Sequence, residues 1–582
     1  MTNSEFEDLV FKHSLFNASQ HGGKANLGSI INKIIAEKPE LKSDIKNLMN
    51  EIKPIVEKIN SMSPEKQIEL LQKDFPNMKS KTKHDEKFPL PSLPNFNSYE
   101  KIITRFSPNP NGHLHIGHVK ALRLDFRYAQ KHSGKLFLRF DDTNPYAAKT
   151  EFYNQILENL DWMGIKPDQI TYASDYLHEI YKIATQMFHD NHLYVCECDF
   201  DTIKINRFKK QFCEHHLSTN SNKQLSDFFS GISNMKEGNS VVRFKGNMKS
   251  DNTVMHDPIM LRLIDASDHP RTGNKYNIWP TYDFAAPITD CLEGVSHALR
   301  SKEFELRDEL YNEITQILFD QGKVKSMPSL VSFSRLSMKG SPTSKSSISN
   351  LITDGIVTGW DDIRLVTLSA LQKRGFIPKG ISDFVDSLGL SKSESSPDFE
   401  LLASFNRKAR DKSDKRYFFV PNPVKLQINN VPTKSITLNH HPTENLGNRT
   451  IELSDEFYVS HDDVNLLNAG DEIRLMDLFN IKILEKANTI TADYTSTKPL
   501  SNLKKIQWVS HDGIDFNLLI PDNEKYTIAS DGSFEFLPDS LTTCNGLAES
   551  HCKNLTEGDM LQFNRIGFCR VVSENSAILS HK

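Results

Sequence analysis

The chain has 582 residues, 38% hydrophobic and 25% charged, with a formal net charge of −5. That length exceeds what one hydrophobic core organises, so about three to five domains are expected. No apolar run reaches the roughly 20 residues that span a bilayer, and the opening MTNSEFEDLVFKHS has early acids and no apolar signal core. Neither a membrane partner nor secretion is expected. Seven cysteines spread over the chain suit a reducing cytoplasm better than a disulfide scaffold. The mild acidity gives no support to bulk nucleic-acid or DNA binding, but a local basic face can still steer RNA.

Apolar spacing in LGSIINKIIAE and IKNLMNEIKPIVEKI, with Ser63 as an N-cap before PEKQIELLQ, predicts helices over residues 5–75. PNMKSKTKHDEKFPLPSLPNFNS reads as a linker over 76–98, so the helical N-terminal domain and its linker occupy 1–97. KIITRFS and KLFLRFDD predict strands flanking a helix over 116–132. Strand, turn, helix, strand is the unit of a doubly wound α/β sheet, expected over 98–335. Polar loops alternate with helical patches over 336–415. From 416 to 582 short β-rich runs such as KLQINNV, IRLMDLFNIKIL and MLQFNRIGFCRVV predict a β-barrel or sandwich region. No internal repeat is evident.

The stretch TRFSPNPNGHLHIGHVKAL, residues 104–122, poses the functional question. His115 and His118 stand three apart and share a helix face. They fall in a first turn, where free backbone N–H groups and the dipole favour an anion. Gly117 lets a ligand approach the backbone, and a strand feeding this turn puts the site at the carboxyl edge of the sheet. In isolation, HxGH reads more simply as a turn and an amphipathic helix with surface histidines.

It is not isolated. FSPNPNGHLHIGH resembles the HIGH motif of class I aminoacyl-tRNA synthetases, in the form of the glutamyl and glutaminyl enzymes. LRFDDTNP at 138–145, YDFAAPITDCLEGVSHALRSKEF at 282–304, FSRL at 333, GWDDIRLVTLSALQKRG at 359–375 and YFFVPNPVKLQI at 417–428 extend the resemblance in family order. It implies a Rossmann-like catalytic domain with an acceptor-binding insertion at about 190–277, a helical stem-contact connector and a β-barrel anticodon-binding region. The β-rich C-terminal third and the N-terminal HGGKANLGSIINKI are similar to the archaeal type.

The resemblance also assigns residues. His115, His118 and Lys345 would be catalytic; Pro108, Asn109, Gly117, Ser344 and Lys345 would bind ATP, accompanied by Mg2+. Lys345 is the second lysine of a KMSKS-like loop, PTSKS at 342–346, in which Pro342 and Thr343 replace the first lysine and the methionine. Lys339 is a nearby substitute. Arg300 falls where glutamyl enzymes carry arginine, and with Arg105, Asp141 and Tyr282 it would bind glutamate. The implied activity is ATP-dependent attachment of glutamate to tRNA(Glu), with tRNA(Gln) left open as a second acceptor. The alternatives are a glutaminyl enzyme or a non-catalytic tRNA-binding paralogue. Cys196, Cys198 and Cys213 with His215 or His216 are a candidate tetrahedral zinc set. The basic and aromatic strip NRKARDKSDKRYFF, 406–419, is a candidate RNA-backbone contact.

Overall fold

The computed structural model describes residues 3–20, 23–38, 45–75, 88–218, 222–230, 240–264 and 268–582. It divides into two compact units, Met1–Pro89 and Leu90–Lys582.

In the first unit, helices Asn3–Gln20, Leu27–Glu37, Ile45–Asn60 and Pro64–Asp74 pack around Val10, Ile30, Ile34, Ile52, Ile59 and Leu71. Ser63 caps the fourth as its sequence predicts. The turn before Leu27 is pinned by side chains: Asn60 Oδ1 accepts from the Ala25 N–H at 2.6 Å and Asn17 Oδ1 from the Asn26 N–H at 2.7 Å.

Residues 76–87 of the expected linker lie outside the described residues. The remainder is no linker. Leu90 and Leu93 are buried with Ile102, Leu124, Tyr128 and Leu299, while Tyr128 Oη donates to Pro91 O at 3.1 Å and Lys131 Nζ to Leu90 O at 2.7 Å. The prolines deny this segment regular hydrogen bonding, yet the leucines between them anchor it to the core. The second unit therefore begins at Leu90.

Its central sheet is parallel. Strands β1 (Ile103–Phe106), β2 (Lys135–Phe140) and β3 (Gln169–Tyr172) pair in that order. Strands β4 (Leu193–Cys196), β5 (Val241–Phe244), β6 (Ile259–Leu263) and β7 (Ile278–Pro280) form a separate antiparallel sheet over the region where an insertion at about 190–277 is expected, β7 lying just beyond it. The chain then returns through β8 (His297–Ser301) and β9 (Ser329–Phe333), parallel to each other. β8 lies beside β1, and the Ser296 N–H donates to Ile103 O at 2.9 Å. The spatial order β3-β2-β1-β8-β9 reverses between β1 and β8, and a doubly wound sheet opens its ligand crevice at such a reversal.

Helices Lys345–Thr353, Leu368–Arg374, Pro378–Ser387 and Phe399–Arg410 form the connector. Residues 415–581 build two seven-stranded barrel-like sheets, one around Phe457, Ile481 and Trp508, the other around Phe419, Phe516 and Phe563. The strip at 406–419 is largely absorbed into this architecture, contrary to its reading as an RNA contact. Arg410 is fully buried, donating to Gly375 O and Cys569 O and pairing with Asp414. Tyr417, Phe418 and Phe419 are core residues. Lys408, Lys412 and Lys415 stay exposed.

Candidate active site and the comparisons that identify its family

A cavity of about 450 Å³ opens where β1 and β8 end. Its wall includes Arg105, Pro108, Asn109, His115, Gly117, His118, Tyr282, Arg300, Ser344 and Lys345. Residues from four separate stretches of sequence, 105–118, 282, 300 and 344–345, thus meet in one place.

Helix Ile116–Lys131 starts at this cavity, and the two histidines are what starts it. His115 is the N-cap; its Nδ1 accepts from the Gly117 N–H at 3.1 Å, and His118 Nδ1 accepts from the His115 N–H at 3.2 Å. This is a reciprocal capping box built from imidazoles, in the position where Ser and Glu usually serve. Burial, then His118 and Arg335, hold His115 well below the ordinary imidazole range; burial and Arg335 bring His118 down to about 4. Both rings are neutral at pH 7. With each Nδ1 accepting, the proton is assigned to Nε2, so each ring offers the cavity a neutral N–H donor rather than a cation.

Gly117 has a different reason from the one its sequence suggests. A Cβ there would lie 2.8 Å from Leu336 O and 2.9 Å from the His115 ring, so the glycine admits a neighbouring backbone rather than a ligand. The third histidine of the stretch, His113, stacks on Trp360 with 5.5 Å between ring centroids and shares a hydrogen bond with Ser369 Oγ. It braces the turn. Lys120 is also structural: its Nζ donates to Ser334 O and Oγ, both at 2.8 Å, tying the helix to the segment just past β9 that carries Arg335.

Lys345 occupies the first position of its helix, behind the N-cap Ser344, whose Oγ accepts from the Ser347 N–H at 3.2 Å. Partial burial, then the charge of Lys149, lower its pKa. Lys339 is exposed, its N–H bonded to Pro397 O, and it is not in the cavity wall. It does not replace the missing lysine there. Arg335, paired with Glu303 at 3.0 Å, does line the cavity, although attention to the lysine loop passed over it.

The opposite end of the cavity rests on a buried ionic network. Arg105 Nε and Nη2 donate to the two oxygens of Asp290 at 2.9 and 3.2 Å, and its Nη1 donates to Leu299 O. Arg139 Nη1 lies 2.8 Å from Asp290 and 2.9 Å from Glu293, and its Nε 3.3 Å from Asp141. Burial alone would push Asp290 up, but Arg105 and Arg139 hold it at about 2. Asp141 goes the other way: burial raises it to about 6 against the pull of Arg139 and Arg105. Asp141 bonds through its N–H to Pro108 O but is not itself in the cavity wall. Asp125, unremarked in the sequence, is in the wall, 1% exposed and with Oδ1 unpartnered.

Arg300 is 5% exposed and surrounded by the rings of Tyr282, Phe304 and Tyr311, its guanidinium carbon 5.1–5.7 Å from their centroids. Its Nη1 donates to Asp308 at 3.3 Å, and its buried Nε has no acceptor. A planar cation with one edge unclaimed is suited to bidentate recognition of a carboxylate.

In the insertion, Cys196, Cys198, Cys213 and His215 present ligand atoms that all lie within 4.8 Å of one another, with Cys198 Sγ 3.3 Å from His215 Nδ1. A tetrahedral zinc bound at about 2.3 Å to sulfur and about 2.0 Å to nitrogen spaces its ligands by roughly 3.5 Å, so the donor set fits. His216 is committed elsewhere, its Nδ1 2.7 Å from Asp257 Oδ2.

Comparison with known proteins agrees with this geometry. Residues 101–411 match the family model for the catalytic domain of class I tRNA synthetases (E and Q), and 415–497 and 505–572 match models for their anticodon-binding domains. A glutamate–tRNA ligase from Nitrosopumilus maritimus is 39% identical over 588 residues, covering 100% of both chains. One from Pyrococcus furiosus is 36% identical over 595 residues, covering 99% of this chain and 100% of that one. With its nucleotide-type crevice, its paired histidines and its C-terminal anticodon-binding domains, the chain belongs to the class I tRNA synthetases of the E and Q branch, which use ATP to charge tRNA.

Proposed function

We propose that the protein is a glutamate–tRNA ligase that joins glutamate to tRNA(Glu) through a glutamyl-adenylate. The glutamate α-carboxylate attacks the α-phosphorus of ATP, pyrophosphate leaves, and the acyl group passes to the terminal ribose of tRNA. His115 and His118 donate Nε2–H bonds to phosphate oxygens as charge develops, and Lys345 supplies the mobile cation. Magnesium accompanying ATP would supply charge neutralisation at the phosphates. Pro108, Asn109, Gly117 and Ser344 form the floor and rim of the nucleotide site.

Arg300 carries the choice of amino acid. Its unpartnered edge answers the two oxygens of a carboxylate, whereas an amide offers one acceptor oxygen and an NH2 that cannot accept, leaving a buried cation half satisfied. Arg105, held by Asp290, adds positive charge to the same cavity without offering a free fork. Tyr282 lines the same cavity with its ring toward the Arg300 guanidinium. Asp141 stands behind the wall, paired with Arg139, and acts on the substrate ammonium through its charge rather than by contact. The names of the full-length relatives support the same substrate.

Zinc bound by Cys196, Cys198, Cys213 and His215 would brace the insertion that receives the acceptor end of tRNA. A reducing cytoplasm suits the seven unpaired cysteines. The deciding experiment is aminoacylation of tRNA(Glu) and tRNA(Gln) with labelled glutamate and labelled glutamine. Glutamate attached to tRNA(Glu) is the expected product; glutamine attached instead overturns the substrate, and no product with either removes the enzyme. The tRNA(Gln) arm decides whether that acceptor is also used.

A further inference from the structure

We propose that Asp308 is a positioning residue for substrate choice: it holds Arg300 end-on, so that the Nε/Nη2 edge of the guanidinium stays turned to glutamate. The inference rests on the glutamate reading above.

Three observations carry it. First, Arg300 gets no rigid polar support from its own surroundings. Its neighbours Tyr282, Phe304 and Tyr311 present ring faces, and these hold a cation by attraction that tolerates rotation about the ring normal. The Tyr311 hydroxyl is already engaged, donating to Asp290 Oδ2 at 2.7 Å.

Second, among the described residues Asp308 is the group that accepts a hydrogen bond from Arg300, and it does so at Nη1 alone, at 3.3 Å. A carboxylate gripping the Nε/Nη2 edge would block the substrate. One placed at Nη1 fixes the plane and leaves that edge open. Arg300 lines the cavity, and its Nε, though closed to solvent, is bonded to no protein acceptor.

Third, Asp308 is itself fixed. It is the first residue of helix Asp308–Asp320, where the helix N-terminus favours a carboxylate, and its side chain is 27% exposed. Backbone geometry therefore sets where the carboxylate stands, and the carboxylate sets Arg300. The sequence separation of eight residues, across the turn from β8 into that helix, makes the pair a local device within RSKEFELRD.

The test compares Asp308→Ala and Asp308→Asn with wild type in full-length protein, with steady-state constants for glutamate and glutamine at saturating ATP and tRNA. In Asp308→Ala, KM for glutamate should rise on the order of tenfold, the typical worth of a charge-assisted hydrogen bond, with kcat changed by no more than about threefold. Glutamine use and the KM for ATP should hold, so the preference ratio moves toward glutamine. Asn keeps an acceptor oxygen at the same point, so Asp308→Asn should recover most of the loss. A glutamate KM in Asp308→Ala that is unchanged or lower, or a rise shared equally by ATP and glutamine, overturns the proposal. So does Asp308→Asn as impaired as Asp308→Ala. Failure of the glutamate reading would look different, because wild type itself would then not use glutamate.

Discussion

The rings of His115 and His118 lie 3.8 Å apart at their centroids, tilted by 32°, and each Nδ1 is bonded to a backbone N–H of the turn they open. The same atoms that cap the helix fix the tautomer, so the residues that build the local structure also aim the donors at the cavity.

This dual role can be separated. His115→Asn keeps an N-cap acceptor but loses the Nε2–H donor. Pyrophosphate exchange with tRNA present should fall on the order of 10²-fold, with the unfolding midpoint unchanged. His115→Ala should show the same kinetic loss and also be less stable by about 1 kcal/mol. Near-normal exchange in both would remove the histidines from the chemistry.

Lys345→Ala should slow adenylation far more than it weakens tRNA binding, because the cation acts as phosphate charge develops. Lys339→Ala should be close to wild type, since its side chain is exposed away from the cavity wall. Single-turnover activation assays on the two variants decide the matter; the reverse pattern would shift the register of the loop.

Arg300→Ala should lower kcat/KM for glutamate by about 10²-fold or more, since losing one partner of a buried ion pair costs roughly 2–5 kcal/mol. Glutamine should suffer less. A glutamate-to-glutamine ratio identical to wild type would falsify the assignment of Arg300 to the side-chain carboxylate.

Asp290→Asn leaves Arg105 and Arg139 buried with their shared counter-charge gone. It should destabilise the protein by about 3–5 kcal/mol in urea unfolding. The pH dependence has a definite sign. Asp290 is depressed to about 2 in the fold, so its contribution is present above the ordinary carboxylate pKa of about 4 and is lost as pH falls through about 2. Acid unfolding of wild type should steepen in that window, and the Asn variant should lack the step.

Protein purified without chelator should carry about one zinc per chain if the cysteine cluster is a structural site. Cys213→Ser should lose it. Elemental analysis finding no zinc in wild type would leave the cluster as three thiols and an imidazole in contact.

The sequence disclosed what chemistry ties to fixed spacing. His115, His118 and the cysteines with His215 were identifiable by residue type and spacing, and Arg300 by the resemblance of HALRSKEF to its family. Partners brought together only by folding were hidden. Asp290 lies 185 residues from Arg105, and nothing local in ITDCLEG announces that it holds two arginines. Composition also misled where burial reverses its meaning: Leu90 and Leu93 sat among prolines and read as linker, and Arg410 sat in a basic strip and read as surface. Gly117 lines the cavity, but the neighbour that forbids a side chain there is a backbone 219 positions away, at Leu336.

The altered start of the lysine loop has a consequence for anyone rebuilding it. Pro342 and Thr343 are buried, and the helix they lead into packs Ile348 and Leu351 against Val357, Leu365 and Phe536. A lysine at 342 would start its side chain from a buried position, and an ammonium kept there without a counter-charge would cost several kcal/mol of desolvation. Restoring the family's first lysine at 342 therefore begins with a burial cost that Lys345, at an exposed position, does not carry.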